Sequence, residues 1–264
     1  MDIAPKTKSS VREVFRSMNY NVKLTFGFYI SSSLGRGIWM GNVLSLYINI
    51  FAQTNYFLGL SPNEILGLTS AASGITMTLF VFLAGYLADK IRRDLIMKLA
   101  TIIGIASMAF LLFGNSVLFI LISMLLWGLF NAFVQPSLES LFADSVRSGY
   151  RSRIYSWGHL ANQFAMAAGP FLNIAFFAIF GNVHDLIVLR KVMAVGFAVT
   201  VVSIILLFLF KDDRSLGEES ESIAEETTTV NGNLSESRIT KIDSERAKKI
   251  VPILLVISNV IIGI

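Results

Sequence analysis

The feature that most limits what this chain can become is a series of six long apolar runs, set close together with brief polar breaks between them. Each run is about 19 to 28 residues long, and about 20 apolar residues in a helix cross the roughly 30 Å of hydrocarbon in a bilayer. A soluble core of this size could not hide so many. Within lipid every backbone amide needs an internal partner, so runs of this length must be helices. The expected fold class is all-α, a polytopic membrane protein. A composition of 54% hydrophobic and 15% charged residues agrees, although polar ends and loops dilute it. The first run follows a polar stretch and is too long for the apolar part of a signal peptide, so it stays as an anchor.

Charge assigns the two ends of the spans. The segment 1–23 carries Lys6, Lys8, Arg12, Arg16 and Lys23, and Ser10 with Glu13 has the spacing of a capping box. It reads as a cytoplasmic interfacial helix or a disordered tail. The region 24–210 holds the six spans: about 24–51, 66–88, 95–113, 117–144, 154–180 and 192–210. Basic residues crowd the break after the second span (Lys90, Arg92, Arg93, Lys98) and after the fourth (Arg147, Arg151, Arg153), whereas 52–63 and Gly114–Ser116 have none. The positive-inside rule then places the N-terminus and both basic breaks in the cytoplasm. Arg190 and Lys191, at the outer end of the sixth span, run against the rule and are expected to snorkel to the interface. The same rule accounts for the net charge of +4 without a nucleic-acid partner. Residues 211–249 form a polar linker that cannot bury a core, and 250–264 is an apolar run too short to span, expected to be the cut-off start of a seventh helix.

Enzyme chemistry finds no footing. There is no cysteine, no Gly-x-Ser-x-Gly, and the two histidines, His159 and His184, lack metal-ligand spacing. No cofactor or metal is expected. The polar residues are scattered over several helices and form no repeated ring, which argues against a channel.

Two stretches carry a family resemblance. Gly85-Tyr-Leu-Ala-Asp89-Lys90-Ile-Arg92-Arg93, between the second and third spans, resembles the loop 2-3 signature of the major facilitator superfamily. Arg92 stands where a Gly is usual and Asp94 where a second base is usual. Ala165-Met-Ala-Ala-Gly169-Pro170-Phe-Leu-Asn173 in the fifth span resembles a degraded form of that family's antiporter signature, with Asn173 in place of a Gly; the stretch reads first as a small-residue packing patch with a proline bend. The resemblance implies a six-helix bundle of two inverted three-helix repeats, half of a twelve-helix fold, with the other half missing here. It also implies alternating access by a secondary carrier of a small solute. Asp89 would face the N-terminus of a helix in the missing half, and Arg93 would pair with Asp144, together latching one arrangement. The alternative is a non-transporting membrane receptor or partner-binding protein.

The residues most out of place in hydrocarbon are the candidates for a substrate or proton site. Arg36 lies in the middle of the first span and needs water, a carboxylate or an anionic ligand, or else pairs with another helix. Asn131, Gln135 and Glu139 follow at four-residue steps and share one face of the fourth span, where Glu139 is a candidate for carrying a coupled proton. Ser33, Gly37 and Gly41 form a small-residue ridge on the first span, and Ser70, Ser73, Gly74 and Thr78 enrich the second, both suited to close helix packing.

Overall fold

The computed structural model describes residues 18–55, 57–146 and 151–212, and every regular element among them is an α-helix. In chain order these are α1 (Tyr20–Trp39), α2 (Asn42–Thr54), α3 (Pro62–Lys90), α4 (Arg93–Phe113), α5 (Val117–Ser145), α6 (Arg151–Phe180) and α7 (Leu186–Leu209). Five of them, α3 to α7, are each long and apolar enough to cross a membrane. The expected interfacial helix around Ser10, the basic residue Arg147, nearly all of the polar linker and the apolar run after it lie outside the described residues.

Local chemistry explains where the helices begin and end. At the start of α3 the Ser61 hydroxyl accepts from Glu64 N–H, the Glu64 carboxylate accepts from Ser61 N–H at 2.7 Å, and Pro62 supplies a residue with no N–H to satisfy. Extended backbone at Ile91 stops α3 (φ −120°, ψ 150°). Gly114-Asn115-Ser116 turns α4 into α5, as the sequence predicts. Helix α7 differs from its predicted start: it opens at Leu186, where the Asp185 side chain accepts from Ile187 N–H, so Arg190 and Lys191 lie inside its first turns.

The first span is not one helix. α1 ends at Trp39 and α2 begins at Asn42, with the break at Met40 and Gly41. The two still complete one crossing. At one end, Asn21 Nδ2 of α1 donates to Lys211 O just past α7, at 2.8 Å. At the other, Tyr47 of α2 meets Arg190 near the start of α7. α1 and α2 together therefore run antiparallel to the whole of α7.

α1 packs against α6 and α7, α5 packs against α3 and α4, and α4 meets α7. Trp39, at the end of α1, is buried between Trp127 of α5 and Phe197 of α7, with ring centroids 5.2 and 4.9 Å away in edge-on geometry, and its Nε1 donates to Thr200 Oγ1. Ser107 of α4 and Ser123 of α5 exchange bonds, each hydroxyl donating to the other's carbonyl at 2.8 Å. Polar groups placed in this way hold helices together where lipid offers no hydrophobic drive between them.

The small-residue ridge needs one correction. Gly37 does pack closely, against Met166 O and Gly169 of α6, and Ser33 donates to Asn162 Oδ1 of α6. Gly41 does not: it lies at the helix break, with nothing within 4 Å of where a Cβ would stand. The close contact on the other side of α1 is Gly35 against Gly196 and Thr200 of α7. On α3, Ser73 packs its backbone against Gly128, while Ser70, Gly74 and Thr78 are exposed.

Candidate functional site

The charged link between α3 and α4 builds the first candidate. Arg93 Nη1 pairs with Asp144 Oδ2 near the end of α5, as the family resemblance implies, and Arg93 N–H donates to Asp212 at 3.3 Å. The two departures from the signature answer one another. Arg92 donates through Nε and Nη2 to the two oxygens of Asp94, at 3.1 and 3.3 Å, and Lys98 Nζ reaches Asp94 Oδ2 at 2.8 Å. Asp94 is only 4% exposed, so its carboxylate is held by two cations in place of water. Lys90 Nζ stands 4.5 Å from the centre of the Tyr86 ring. Asp89 is exposed, and no cation among the described residues pairs with it. It lines a cavity of about 520 Å³ together with Arg92, Arg93, Asp144 and Asp212. Gly85, one turn earlier, has nothing within 4 Å of a Cβ position.

The second candidate lies at the break in the first crossing. Arg36 is in the last turn of α1, and among the described residues its side chain has one hydrogen-bond partner, the Ser33 hydroxyl, to which Nη2 donates at 3.3 Å. Nε is buried with no acceptor, and no carboxylate among the described residues pairs with the guanidinium. Arg36 opens on a cavity of about 580 Å³ whose lining includes Met40, Asn42, Gln163, Pro170 and Asn173.

The antiporter-like stretch of α6 forms the other wall. The helix runs through Pro170 unbroken. Proline has no N–H to give to Met166 O, four residues back, and this carbonyl is the one that sits against Gly37. Gly169 meets the same Gly37 backbone. Asn173 Nδ2 donates to Ile38 O at 3.0 Å, a carbonyl left open because α1 stops at Trp39. Asn173 thus caps the break from a neighbouring helix.

The face of Asn131, Gln135 and Glu139 on α5 is not part of this cavity. Asn131 Nδ2 bonds back to Trp127 O of its own helix, Gln135 is exposed, and Glu139 accepts from the Tyr29 hydroxyl at 2.7 Å. The structure therefore brings Arg36 together with α6 and leaves Glu139 with Tyr29 of α1. Sequence reasoning missed Asn42 and Tyr29. For Asn42 a signal existed: Gly41-Asn42 interrupts an apolar run of about 28 residues, longer than one crossing needs. For Tyr29 there was none, because its role depends on a residue 110 positions away.

Antiparallel apolar helices joined by short turns, with a cation at mid-depth that no carboxylate among the described residues pairs, define an integral multi-pass membrane protein. The family model of the Major Facilitator Superfamily matches residues 25–263. The chain belongs to that superfamily, whose members are transmembrane transporters of small molecules. A search of curated proteins found no match.

Proposed function

We propose that the chain supplies the N-terminal six-helix unit of a secondary carrier that moves a small anionic solute by alternating access. The observation that carries this reading is Arg36, a mid-depth cation with no carboxylate partner among the described residues, facing a cavity. An Arg at the bilayer centre costs about 2.5 to 3.5 kcal/mol on insertion scales, a cost that an anionic ligand offsets. Of the five long helices, α3 and α6 are the least covered. Their bare faces, with the exposed Asp89 at one end of α3, are the surfaces offered to a second six-helix unit, where a helix N-terminus would favour the Asp89 carboxylate. Gly85, small and unobstructed, lets that unit approach. The Arg93–Asp144 pair ties α4 to α5 beside the same surface. In this reading the N-terminus is cytoplasmic, and Glu139, held by Tyr29, carries the coupled proton.

Flux in proteoliposomes tests the reading. The full-length protein should take up a small anion in saturable fashion, and Arg36→Ala should nearly abolish uptake while the protein remains inserted. Arg36→Lys should fall between them, because the planar fork is lost and the charge kept. Wild-type affinity in Arg36→Ala would return Arg36 to a purely structural role. Absence of substrate-dependent flux would favour a receptor.

A further inference from the structure

The break in the first crossing holds more than a free cation, and the geometry points to a solute site for a 2-hydroxy carboxylate with an apolar tail, an assignment that rests on the carrier reading above. Three observations converge on one cavity. The first is Arg36, which among the described residues has no acceptor for its Nε and one side-chain partner, the Ser33 hydroxyl. The second is the start of α2. Gly41 caps that helix without a side-chain bond, and the first backbone bond is Ser45 N–H to Gly41 O, so the amides of Asn42, Val43 and Leu44 precede any intrahelical acceptor. A helix start of this kind beside an arginine favours negative charge. The third is Asn173, 7% exposed, which spends its Nδ2 on Ile38 O and leaves Oδ1 buried without a donor among the described residues.

An anion alone would satisfy only the first two. Oδ1 of Asn173 asks for a hydrogen-bond donor within the same ligand, and an unmade buried bond penalises any solute that lacks one. That donor is a neutral hydroxyl and not an ammonium group, because no carboxylate among the described residues lines the cavity and Arg36 already brings a positive charge. Met40, Met166, Ala167 and Pro170 give the lining an apolar stretch that accepts an aliphatic chain, and Gln163 adds one further amide beside it. A carboxylate toward Arg36 and the α2 start, a neighbouring hydroxyl toward Asn173 and a hydrocarbon tail complete the fit.

Matched probes test this without altering the protein. Binding to the full-length protein in lipid nanodiscs is measured by thermal shift and calorimetry for 2-hydroxy-4-methylpentanoate, for 4-methylpentanoate, which lacks the hydroxyl, and for leucine, which replaces it with ammonium. The hydroxy acid should bind at least about tenfold more tightly than either. Arg36→Ala should remove binding of both acids. Asn173→Ser, which keeps a polar side chain but cannot reach as far, should bring the two acids to equal affinity. Equal binding of the two acids by the unaltered protein, tighter binding of leucine, or no binding of the hydroxy acid would overturn the assignment. Flux separates the two readings: discriminating binding with no uptake would sink the carrier and keep the site, whereas saturable uptake of another solute with no acid binding would do the reverse.

Discussion

Gly37 of α1 and Gly169 of α6 meet backbone to backbone: a Cβ added to Gly37 would stand 3.2 Å from the Gly169 Cα, and one added to Gly169 would collide with the Gly37 backbone itself. Neither chain segment is the flexible end of a side chain, so neither can give way cheaply. This contact brings α1 and α6 close enough for Ser33 to reach Asn162 and for Asn173 to reach Ile38 O. Gly169→Val should therefore cost about 1 to 3 kcal/mol of stability, the range for overpacking a tight contact. Gly74→Ala on α3, where a Cβ meets nothing within 4 Å, should be neutral or slightly stabilising. Thermal unfolding in detergent compares the two, and equal effects would show that the α1–α6 contact does not govern stability.

The ion cluster around Asp94 makes a second comparison possible. Arg92→Gly, which restores the residue usual in the family signature, should cost under about 1 kcal/mol, because Arg92 is largely exposed and Lys98 still pairs with Asp94. Asp94→Ala should cost more, about 1 to 3 kcal/mol, since it removes a buried carboxylate that two cations share. In the double variant the loss should fall short of the sum of the two single costs, because the Arg92–Asp94 bond is lost only once. Simple addition of the two costs would mean that the two residues do not couple.

Asp89→Asn addresses the latch. Asp89 has no ion-pair partner among the described residues, so the protein should insert and unfold as the unaltered form does, within about 1 kcal/mol. Turnover should fall and the balance between inward- and outward-open forms should shift, as read by transport rate and by spin-label distances. Unchanged kinetics would remove Asp89 from the cycle.

Glu139→Gln tests proton coupling. The amide can still accept from the Tyr29 hydroxyl, so the α1–α5 contact survives while the titratable group is lost. Counterflow exchange should persist and accumulation against a gradient should disappear. Full accumulation by a well-inserted variant would exclude Glu139 from coupling.

Arg190 gathers the end of the bundle away from Asp89. Its Nε donates to the Tyr47 hydroxyl at 3.1 Å, and Nη2 donates to Gly114 O and Asn115 Oδ1 at 3.2 Å each. Arg190→Ala should loosen this end and speed labelling of a cysteine placed at Asn115, in a chain that has no other cysteine. Labelling at position 115 from outside intact cells, and at Lys90 only after permeabilisation, is expected if the N-terminus is cytoplasmic. The opposite pattern would invert the topology.

What the sequence determines by itself about this protein is the set of crossings and their turning points. Run length against bilayer thickness, the Gly114–Ser116 turn and the basic residues beside α3 and α4 are all local signals, readable because each acts on its own neighbours in the chain. The tertiary structure alone decides how polar residues spread along the chain are paired. Glu139 meets Tyr29 and not Arg36, Asn173 caps a break in a helix 135 residues away, and Gly41, one step along an apparent ridge, lines a cavity in place of packing against a helix. The break itself belongs to this second class. A continuous helix and an interrupted one have nearly the same apolar run, and the difference between them is stabilised by Trp39 seated between Trp127 and Phe197 and by an amide donated from α6. Such contacts depend on which helix faces come together, and facing is a property of the packed bundle.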